Sequence, residues 1–377
     1  IGVRLVGSEM CIRDRKGIKI MSKMNAALYQ GKGKLAVKQL TIPDIDEEEV
    51  LVKVRAEGVC GSDLLMWTDQ DDPAGVWSWS EEPNNLPPGH EVTGEIVKVG
   101  SKIDSKRIGD RVAVDMLGFG VNCSNCFFCR QGQPIQCMNK KPDSGGGYAQ
   151  YVKRNSTGCF QLHDNMNWDE GALVEPLAVS VHGCRRGKLE GGETVLVLGA
   201  GNIGQTAVAA ARAMGAGKVM VTARYSQQSE LAKALGADVV LPDGGDDLIE
   251  AVADETDGRG ADMTLESVGG RSGTTLFQSI ELTRKQGRIV ILGGFWVPIQ
   301  TDWMEPLMKE QSIIFSSCYS ILEGRHDFEV AIDMMGSGRV NLKPMVTHRF
   351  PLSDVQEAVD TAYDKNSGSI KVQIHQD

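Results

Sequence analysis

Four cysteines fall within the stretch CSNCFFCRQGQPIQC, residues 123–137. They give the spacing C-x2-C-x2-C-x7-C and are Cys123, Cys126, Cys129 and Cys137. Disulfides would require an oxidising compartment, of which the sequence gives no sign. A bacterial iron–sulfur run leaves three residues before its fourth cysteine, whereas this chain leaves seven. Four thiolates that converge on one tetrahedral centre fit a closed, structural zinc site best.

A second group of possible metal ligands lies in three separate motifs. These are GVCGSD (residues 58–63), GHE (89–91) and EPLAVSVHG (175–183). Cys60, His90 and a carboxylate are mixed ligands of the kind found in catalytic zinc sites, which keep one position open. Singly, Cys60 could be a small buried hydrophobe and His90 a hydrogen-bonded loop histidine. Their occurrence together with the four-cysteine motif favours a catalytic metal.

The stretch VLVLGAGNIG carries the pattern G-x-G-x-x-G in Gly199, Gly201 and Gly204, with Ile203 inside it. The pattern alone is weak, because glycine makes up 44 of 377 residues. Here it directly follows an apolar strand and opens a helix, which is the context of a dinucleotide site. The pyrophosphate would rest on the helix N-terminus. The alternative is a glycine turn in an unrelated α/β domain.

The end of the next strand, in VMVTARYSQQ, bears on which dinucleotide binds. NAD sites usually carry an acid there for the ribose 2′-hydroxyl. In this chain the position holds Ala223, followed by Arg224. An arginine suits a 2′-phosphate, which a carboxylate would repel. The sequence therefore favours NADP(H) over NAD(H), the alternative being that Arg224 faces solvent and NAD binds without the acid.

Two kinds of element must position these motifs. Residues 26–151 contain short β-rich runs, such as EVLVKVRAEGVC, EVTGEIVKVG and DRVAVDM. From residue 194 onward, apolar strands alternate with helices as far as a sixth strand at 312–317. That alternation predicts a doubly wound parallel sheet with helices on both faces. The tail from residue 321 returns to mixed strands and helix.

Length and composition limit the possible functions. A chain of 377 residues exceeds one ordinary core, so two domains are expected. Hydrophobic residues are 41% and charged residues 24%, as in ordinary globular proteins. The net charge of −10 argues against nucleic acid or an anionic membrane as partner. The longest uncharged run, 194–211, is broken by glycines, so no membrane span is expected.

The N-terminal segment has neither a helical nor a strand period. RLVGSEMCIRDR (residues 4–15) resembles a sequencing-library adapter read in frame, and its charges exclude a signal peptide. We interpret residues 1–23 as an artefact or a disordered tail, with Met21 or Met24 as the expected start. Cys11 then leaves the count of nine cysteines, so that eight remain.

Taken in order, GVCGSD, GHE, the four-cysteine motif, EPLAVSVHG and GAGNIG resemble the zinc-dependent medium-chain dehydrogenases/reductases. EPLAVSVHGCRRG and NLKPMVTHRFPL look similar to the branch of polyol dehydrogenases, including sorbitol (L-iditol) dehydrogenase, and of threonine dehydrogenases. The resemblance covers the chain from residue 26 onward. It implies an α/β fold in which a GroES-like, β-rich catalytic domain (24–178 and 319–377) accompanies a Rossmann domain (179–318).

The resemblance also implies roles for particular residues. Cys60 and His90 match the catalytic zinc ligands, while Glu91 and Glu175 match carboxylates that ligate zinc directly or through water. Asp63 matches an acid that orients the ligating histidine, and Ser62 matches the hydroxyl that passes the substrate proton outward. Gly293, in the sequence LGG, is expected near the nicotinamide. Two zinc ions per chain follow.

Three departures from the polyol enzymes stand out. Leu65 replaces the histidine expected three residues after Ser62, and Cys318 with Tyr319 replaces an Arg-Tyr pair that grips polyols. The segment between Cys60 and His90 is longer than usual and holds three tryptophans, which suit a pocket wall or surface packing equally. These tryptophans are Trp67, Trp77 and Trp79.

The expected reaction is hydride transfer between an alcohol, or its carbonyl partner, and a nicotinamide cofactor. Zinc lowers the pKa of bound water from about 15.7 toward about 7, and an alcohol should respond likewise. We further expect a cytoplasmic homo-oligomer, either a tetramer or a dimer. The alternatives are an NAD-linked threonine or butanediol dehydrogenase, a zinc-free reductase, or a non-catalytic zinc-stabilised binding protein.

Overall fold

The computed structural model describes residues 23–31, 33–64, 86–142 and 144–376. Residues 1–22 of the expected artefact or tail, Leu65 and the three tryptophans lie outside the described residues. Lys23, assigned to that tail, instead begins the first strand, where it pairs with Thr41. No helix within the described ranges is long and apolar enough to cross a membrane.

The N-terminal half is built mainly from antiparallel strands. Its elements are β1 (Lys23–Tyr29), β2 (Leu35–Thr41), β3 (Glu49–Gly58), β4 (Glu91–Val99), β5 (Arg111–Asp115), α1 (Phe127–Arg130), β6 (Tyr151–Asn155), β7 (Cys159–Gln161) and α2 (Trp168–Arg186). β1 and β2 form a hairpin, while β3 to β7 share one sheet. Buried valines of β3 and β5 fill the core beneath this sheet.

The middle of the chain alternates strands and helices. Its elements are β8 (Thr194–Leu198), α3 (Asn202–Ala213), β9 (Lys218–Thr222), α4 (Ser226–Ala234), β10 (Val239–Leu241), α5 (Asp246–Glu255), β11 (Ala261–Glu266), α6 (Thr274–Leu282), β12 (Thr283–Ile291), α7 (Met304–Met308) and β13 (Ser312–Phe315). All strand pairs are parallel, in the order β10-β9-β8-β11-β12-β13. This is the strand order of a dinucleotide-binding sheet, and its crevice lies at the carboxyl ends of β8 and β11.

The C-terminal segment returns to the first sheet. Its elements are β14 (Ile321–Leu322), β15 (Arg325–His326), α8 (Asp327–Gly336), β16 (Val346–Pro351), α9 (Val355–Tyr363) and β17 (Lys371–His375). β17 pairs antiparallel with β3, and β16 pairs parallel with β17. The predicted fold class, a β-rich catalytic part with a doubly wound parallel sheet, is confirmed.

α2 is the main element that the sequence patterns did not predict. The side chain of Asn167 accepts a hydrogen bond from the Glu170 backbone, and Glu170 reciprocates, which makes a capping box at its N-terminus. Leu177 and Val181 of α2 share one buried cluster with residues of α3 and α8. Because α2 is buried on several sides, it lacks the amphipathic stripe by which sequence patterns identify helices.

Candidate functional site

The four-cysteine motif folds into one compact lobe around α1. The Sγ atoms of all four cysteines lie within 4.8 Å of one another. The Cys126–Cys129 pair is 3.4 Å apart, and the Cys123–Cys129 and Cys126–Cys137 pairs are each 4.0 Å apart. Tetrahedral zinc with Zn–S bonds of about 2.3 Å requires sulfur atoms about 3.8 Å apart. The donor set and its spacing therefore fit a zinc ion.

Backbone amides of the lobe stabilise thiolates. Hydrogen bonds from the backbone N–H groups of Cys129 and Met138 lower the pKa of Cys126 to about 6. The pKa of Cys123 is lowered as well, mainly by a backbone hydrogen bond at Asn125. Burial raises the pKa of Cys129 to about 12. A bound cation would offset that rise, because it stabilises the deprotonated form.

Pairing between β3 and β4 brings the second set of ligands together. Gly58 at the end of β3 pairs with Glu91 at the start of β4. Cys60 follows this pair and His90 precedes it, so donor atoms of Cys60, His90 and Glu91 lie within 4.8 Å of one another. A Cβ at position 58 would stand 1.8 Å from Glu91 Oε2, which explains the glycine.

Glu91 has a partner that the motifs did not reveal. The Nζ atom of Lys371 donates to both carboxylate oxygens of Glu91, at 2.7 and 2.6 Å, and to the Val59 carbonyl at 3.0 Å. Both charged side chains are fully buried. The ion pair therefore fixes the orientation of the Glu91 carboxylate beside Cys60 and His90.

Two polar side chains next to Cys60 shape this cluster. Asp63 Oδ2 accepts hydrogen bonds from the Cys60 backbone N–H at 2.9 Å and from the Tyr148 hydroxyl at 3.1 Å. Ser62, also a predicted site residue, makes a side-chain hydrogen bond that favours the Cys60 thiolate. Burial, together with the charges of Glu91 and Asp63, nevertheless raises the pKa of Cys60 to about 12.

Glu175 lies near the cluster but outside its compact set of donor atoms. It stands on α2 and is buried. Burial lowers the pKa of His90, but the surrounding carboxylates, Glu175 first among them, raise it overall. Burial in turn raises the pKa of Glu175 well above its usual range. Glu175 is therefore close enough to act electrostatically on His90.

A further buried acid, Glu57, was missed by sequence reasoning. Glu57 Oε1 accepts the backbone N–H of Glu91 at 3.1 Å, and its Oε2 has no partner among the described residues. Burial raises the pKa of this carboxyl well above its usual range. Glu57 stands in β3 between Ala56 and Gly58, where the local sequence gives no signal of a buried acid.

The second cluster as a whole fits a divalent cation. Thiol, imidazole and carboxylate are the ligand types of zinc. Burial raises the pKa values of Cys60, Asp63 and Glu175, so that bringing these acids together in charged form is costly without a cation. A zinc ion held by Cys60, His90 and Glu91 would supply the compensating charge.

The glycine pattern forms the predicted turn between β8 and α3. Gly199 has a φ of 91° and its N–H donates to Thr222 Oγ1 at 2.8 Å. A Cβ at Gly204 would lie 1.8 Å from the Gly199 carbonyl oxygen, whereas one at Gly201 would meet open space.

Ile203 lies in the first turn of α3. Asn202 also stands there, with two buried side-chain atoms lacking partners in the described residues. This open, polar helix N-terminus fits a pyrophosphate.

The residues predicted to select NADP over NAD lie at the same edge of the parallel sheet as the glycine expected near the nicotinamide. Ala223 and Arg224 directly follow β9, and Arg224 Nε binds Asp243 Oδ2 at 2.7 Å with 70% of its side chain exposed. Gly293 follows β12, and a Cβ there would stand 2.3 Å from the Gly269 nitrogen. The pairing of Arg224 with Asp243 was not predicted, since Asp243 lies in the loop after another strand.

Comparisons with known proteins agree with this geometry. Residues 46–164 match the alcohol dehydrogenase GroES-like domain, and residues 202–337 match the zinc-binding dehydrogenase family. Sorbitol dehydrogenase of Bacillus subtilis (strain 168) is 32% identical over 362 residues, which are 94% of this chain and 98% of that protein. L-idonate 5-dehydrogenase of Vitis vinifera is 31% identical over 360 residues, covering 93% and 94%. A zinc-binding dehydrogenase from Sinorhizobium meliloti 1021, solved with NADP bound, superposes with a TM-score of 0.80 at 26% identity, covering 94% of this chain and all of that one.

Proposed function

Because this chain belongs to the zinc-dependent medium-chain dehydrogenases/reductases and is an alcohol or polyol dehydrogenase, we propose that it transfers a hydride between a secondary alcohol or polyol and NADP(H). The carbonyl partner of the alcohol would react in the reverse direction. The observation that carries this proposal is the approach of Cys60, His90 and Glu91 to within 4.8 Å among buried carboxylates.

We propose two zinc ions per chain. The four cysteines of the lobe would hold the structural ion. Cys60, His90 and Glu91 would hold the catalytic one, with Glu175 as a neighbouring acid that reaches the ion directly or through water. When bound, the catalytic ion supplies a Lewis acid that lowers the pKa of an alcohol hydroxyl.

The side chains around that ion would handle the proton and the charge. Ser62, already hydrogen-bonded to Cys60, is the group proposed to take the substrate proton outward. Asp63 would hold the Cys60 loop in place through its backbone N–H, and Lys371 would hold the Glu91 carboxylate. These groups keep the ligands oriented, so little reorganisation accompanies the reaction.

NADP(H) is the cofactor proposed for the glycine turn. Arg224 is the cation that would contact the 2′-phosphate, and Ala223 removes the acid that would repel it. Binding the phosphate would require Arg224 to exchange or share its contact with Asp243. That contact also favours the second candidate, an NAD-linked dehydrogenase of the threonine or butanediol type, because Asp243 partly neutralises the arginine.

We also propose a homo-oligomer in the cytoplasm. None of the eight cysteines among the described residues forms a disulfide, which accords with a reducing compartment. β13 forms an open edge of the parallel sheet in the described part of the chain, and apolar side chains are exposed there and on α7. Such an edge is suited to pairing with a second copy.

An activity screen with metal analysis tests the proposal. Purified enzyme is assayed with NADP and NAD over polyols, secondary alcohols, amino alcohols and the corresponding carbonyl compounds. We expect two zinc ions per chain and NADP-linked turnover of at least one polyol or secondary alcohol. Absence of turnover in protein with full zinc would instead support a non-catalytic binding protein. One zinc or fewer in active enzyme would contradict the two sites.

A further inference from the structure

A cavity of about 240 Å³ borders His90 on the side that faces the base of the four-cysteine lobe. Its walls come mainly from the loop before β4, the segment directly after β5, the segment after Cys137, and β6. The charged and polar part of the lining consists of Asp63, His90, Lys140, Lys141 and Arg154. A substrate whose reacting alcohol or carbonyl group lies at the proposed metal site could therefore extend into a space with three cationic side chains.

Lys140 presents its charge at the wall of this cavity. Its Nζ atom donates to the Leu117 carbonyl at 3.3 Å, and Leu117 also lines the cavity. Among the described residues, Lys141 and Lys153 have Glu49 as an ion-pair partner, whereas Lys140 has no carboxylate partner. The charge of Lys140 also reaches Cys318, where it opposes the rise in thiol pKa that burial and Glu175 cause. Lys140 and Glu175 therefore both act electrostatically on Cys318.

The lobe holds the second lysine in position. The backbone N–H of Lys141 donates to the Val121 carbonyl at 2.8 Å, and its Nζ atom donates to Asn155 Oδ1 at 2.6 Å. Asn155 in turn donates to the carbonyls of Phe119 and Asn122 at the base of the lobe. The position of both lysines therefore depends on the fold of the lobe.

Two acidic groups near the cavity have partners of their own. Asp63 accepts from the Cys60 backbone and the Tyr148 hydroxyl. Glu49 is shared between Lys141 at 3.6 Å and Lys153 at 3.2 Å. Among the described residues that line the cavity, Lys140, Lys141 and Arg154 are cations and Asp63 is the one carboxylate. An anion placed beside the lysines would therefore gain charge-assisted hydrogen bonds.

We propose that this cavity binds an anionic group of the substrate, and that the enzyme acts on polyols carrying a carboxylate or a phosphate at the end away from the reacting carbon. The inference rests on the proposed function, because it places the reacting carbon at Cys60, His90 and Glu91. A lysine pair binds either anion as a point charge, so the wall itself does not distinguish the two.

Matched substrate pairs test the proposal. kcat/KM is measured for sorbitol and L-iditol, for gluconate and L-idonate, and for sorbitol 6-phosphate, in wild type and in Lys140→Gln and Lys141→Gln. We expect wild type to prefer one class of anion over the neutral polyols by about tenfold or more. Either variant should lower kcat/KM for that anion about tenfold and leave the neutral polyols within about twofold. The carboxylate and phosphate arms identify which anion is used.

Controls separate charge from folding and from the proposed chemistry. Lys140→Arg should retain the preference, and Lys98→Gln, which removes an exposed charge from β4, should change nothing. Binding of gluconate and of sorbitol 6-phosphate to zinc-loaded protein is measured by calorimetry, with the same variants. Turnover of neutral polyols with no anion preference overturns this inference alone. No turnover of any substrate overturns the proposed function, and equal calorimetric binding by wild type and Lys140→Gln then overturns the inference too.

Discussion

Lys371 and Glu91 form a buried ion pair beside the proposed metal ligands, and each charge depends on the other. Their side chains have no exposed surface, so neither can turn to water if its partner is lost. A buried charge without a partner is strongly destabilising, whereas removal of both charges is often tolerated. The pair therefore gives a direct test of how the Glu91 carboxylate is held.

Lys371→Met should destabilise the zinc-free enzyme by about 3–5 kcal/mol, because it leaves the Glu91 carboxylate buried without a cation. The loss should be smaller with zinc bound, since the ion supplies a second partner. Adding Glu91→Gln should recover most of the stability in zinc-free protein. Thermal melting of the four proteins, with and without chelator, measures this, and a purely additive double variant would contradict the buried pair.

Arg224 is the residue on which the proposed NADP preference depends. Arg224→Ala should raise KM for NADP and spare KM for NAD, because only NADP carries the 2′-phosphate. The rise should be about tenfold, since a contact at an exposed site is partly screened by solvent. Asp243→Asn should lower KM for NADP, since it releases the guanidinium. Ala223→Asp should favour NAD. Gln228 is uncharged, so it would add little to the contact between Arg224 and the 2′-phosphate.

Steady-state kinetics with both cofactors decides this prediction. Arg259→Ala is the matched control, because it removes another exposed arginine from the same sheet domain. A wild-type enzyme that prefers NAD by tenfold or more would show that Arg224 serves only its contact with Asp243.

Few hydrogen bonds join the four-cysteine lobe to the rest of the described chain. α1 is only four residues long, so its position rests on the cysteines that flank it. A structural zinc ion contributes folding free energy on the order of 10 kcal/mol. Lys140 and Lys141 lie in the segment that follows Cys137, so the stability of the lobe bears on the cavity beside His90.

Cys126→Ser should therefore lower the melting temperature and reduce the zinc content from two ions per chain to one. Turnover of protein that remains folded should persist, because Cys60 and His90 lie outside the lobe, directly after β3 and directly before β4. Cys184→Ser, a buried change in α2, is the control and should leave two zinc ions. Lost turnover with unchanged melting in Cys126→Ser would contradict this division of roles.

At the scale of the whole molecule, the edge of the parallel sheet is the surface suited to self-association. β13 ends in Phe315, which is 69% exposed, and α7 nearby exposes Leu307 and Met308. Apolar surface beside an open strand edge is rarely left to solvent in a stable protein. A second copy paired along β13 would extend the sheet across the interface.

Phe315→Glu or Leu307→Glu should shift the protein from an oligomer toward the monomer, because each places a charge in the interface. Phe277→Glu, on the exposed side of α6, is the control and should not. Light scattering after size exclusion gives the mass. A monomeric wild type, or an oligomer insensitive to both changes, would contradict an interface at β13.

Several properties follow from local sequence alone. The spacing of the four cysteines predicts that their sulfur atoms can converge, and they do. The three glycines after an apolar strand and the strand–helix alternation from residue 194 predict the turn and the parallel sheet of the structure. They can do so because each depends on groups close together in the chain, whose chemistry or backbone geometry admits few alternatives. The order of GVCGSD, GHE and EPLAVSVHG added the second metal site through a family resemblance.

Tertiary structure decided the contacts between residues far apart in the chain. Lys371 meets Glu91 across 280 positions because β17 pairs with β3, which in turn pairs with β4. Arg224 meets Asp243 because β9 and β10 end at the same edge of the sheet. The cavity beside His90 needs the lobe, the loop before β4 and β6 at once. Each of these contacts forms because folding buries or pairs charged side chains from elements that are far apart in the chain. A local sequence pattern contains no information about such pairs.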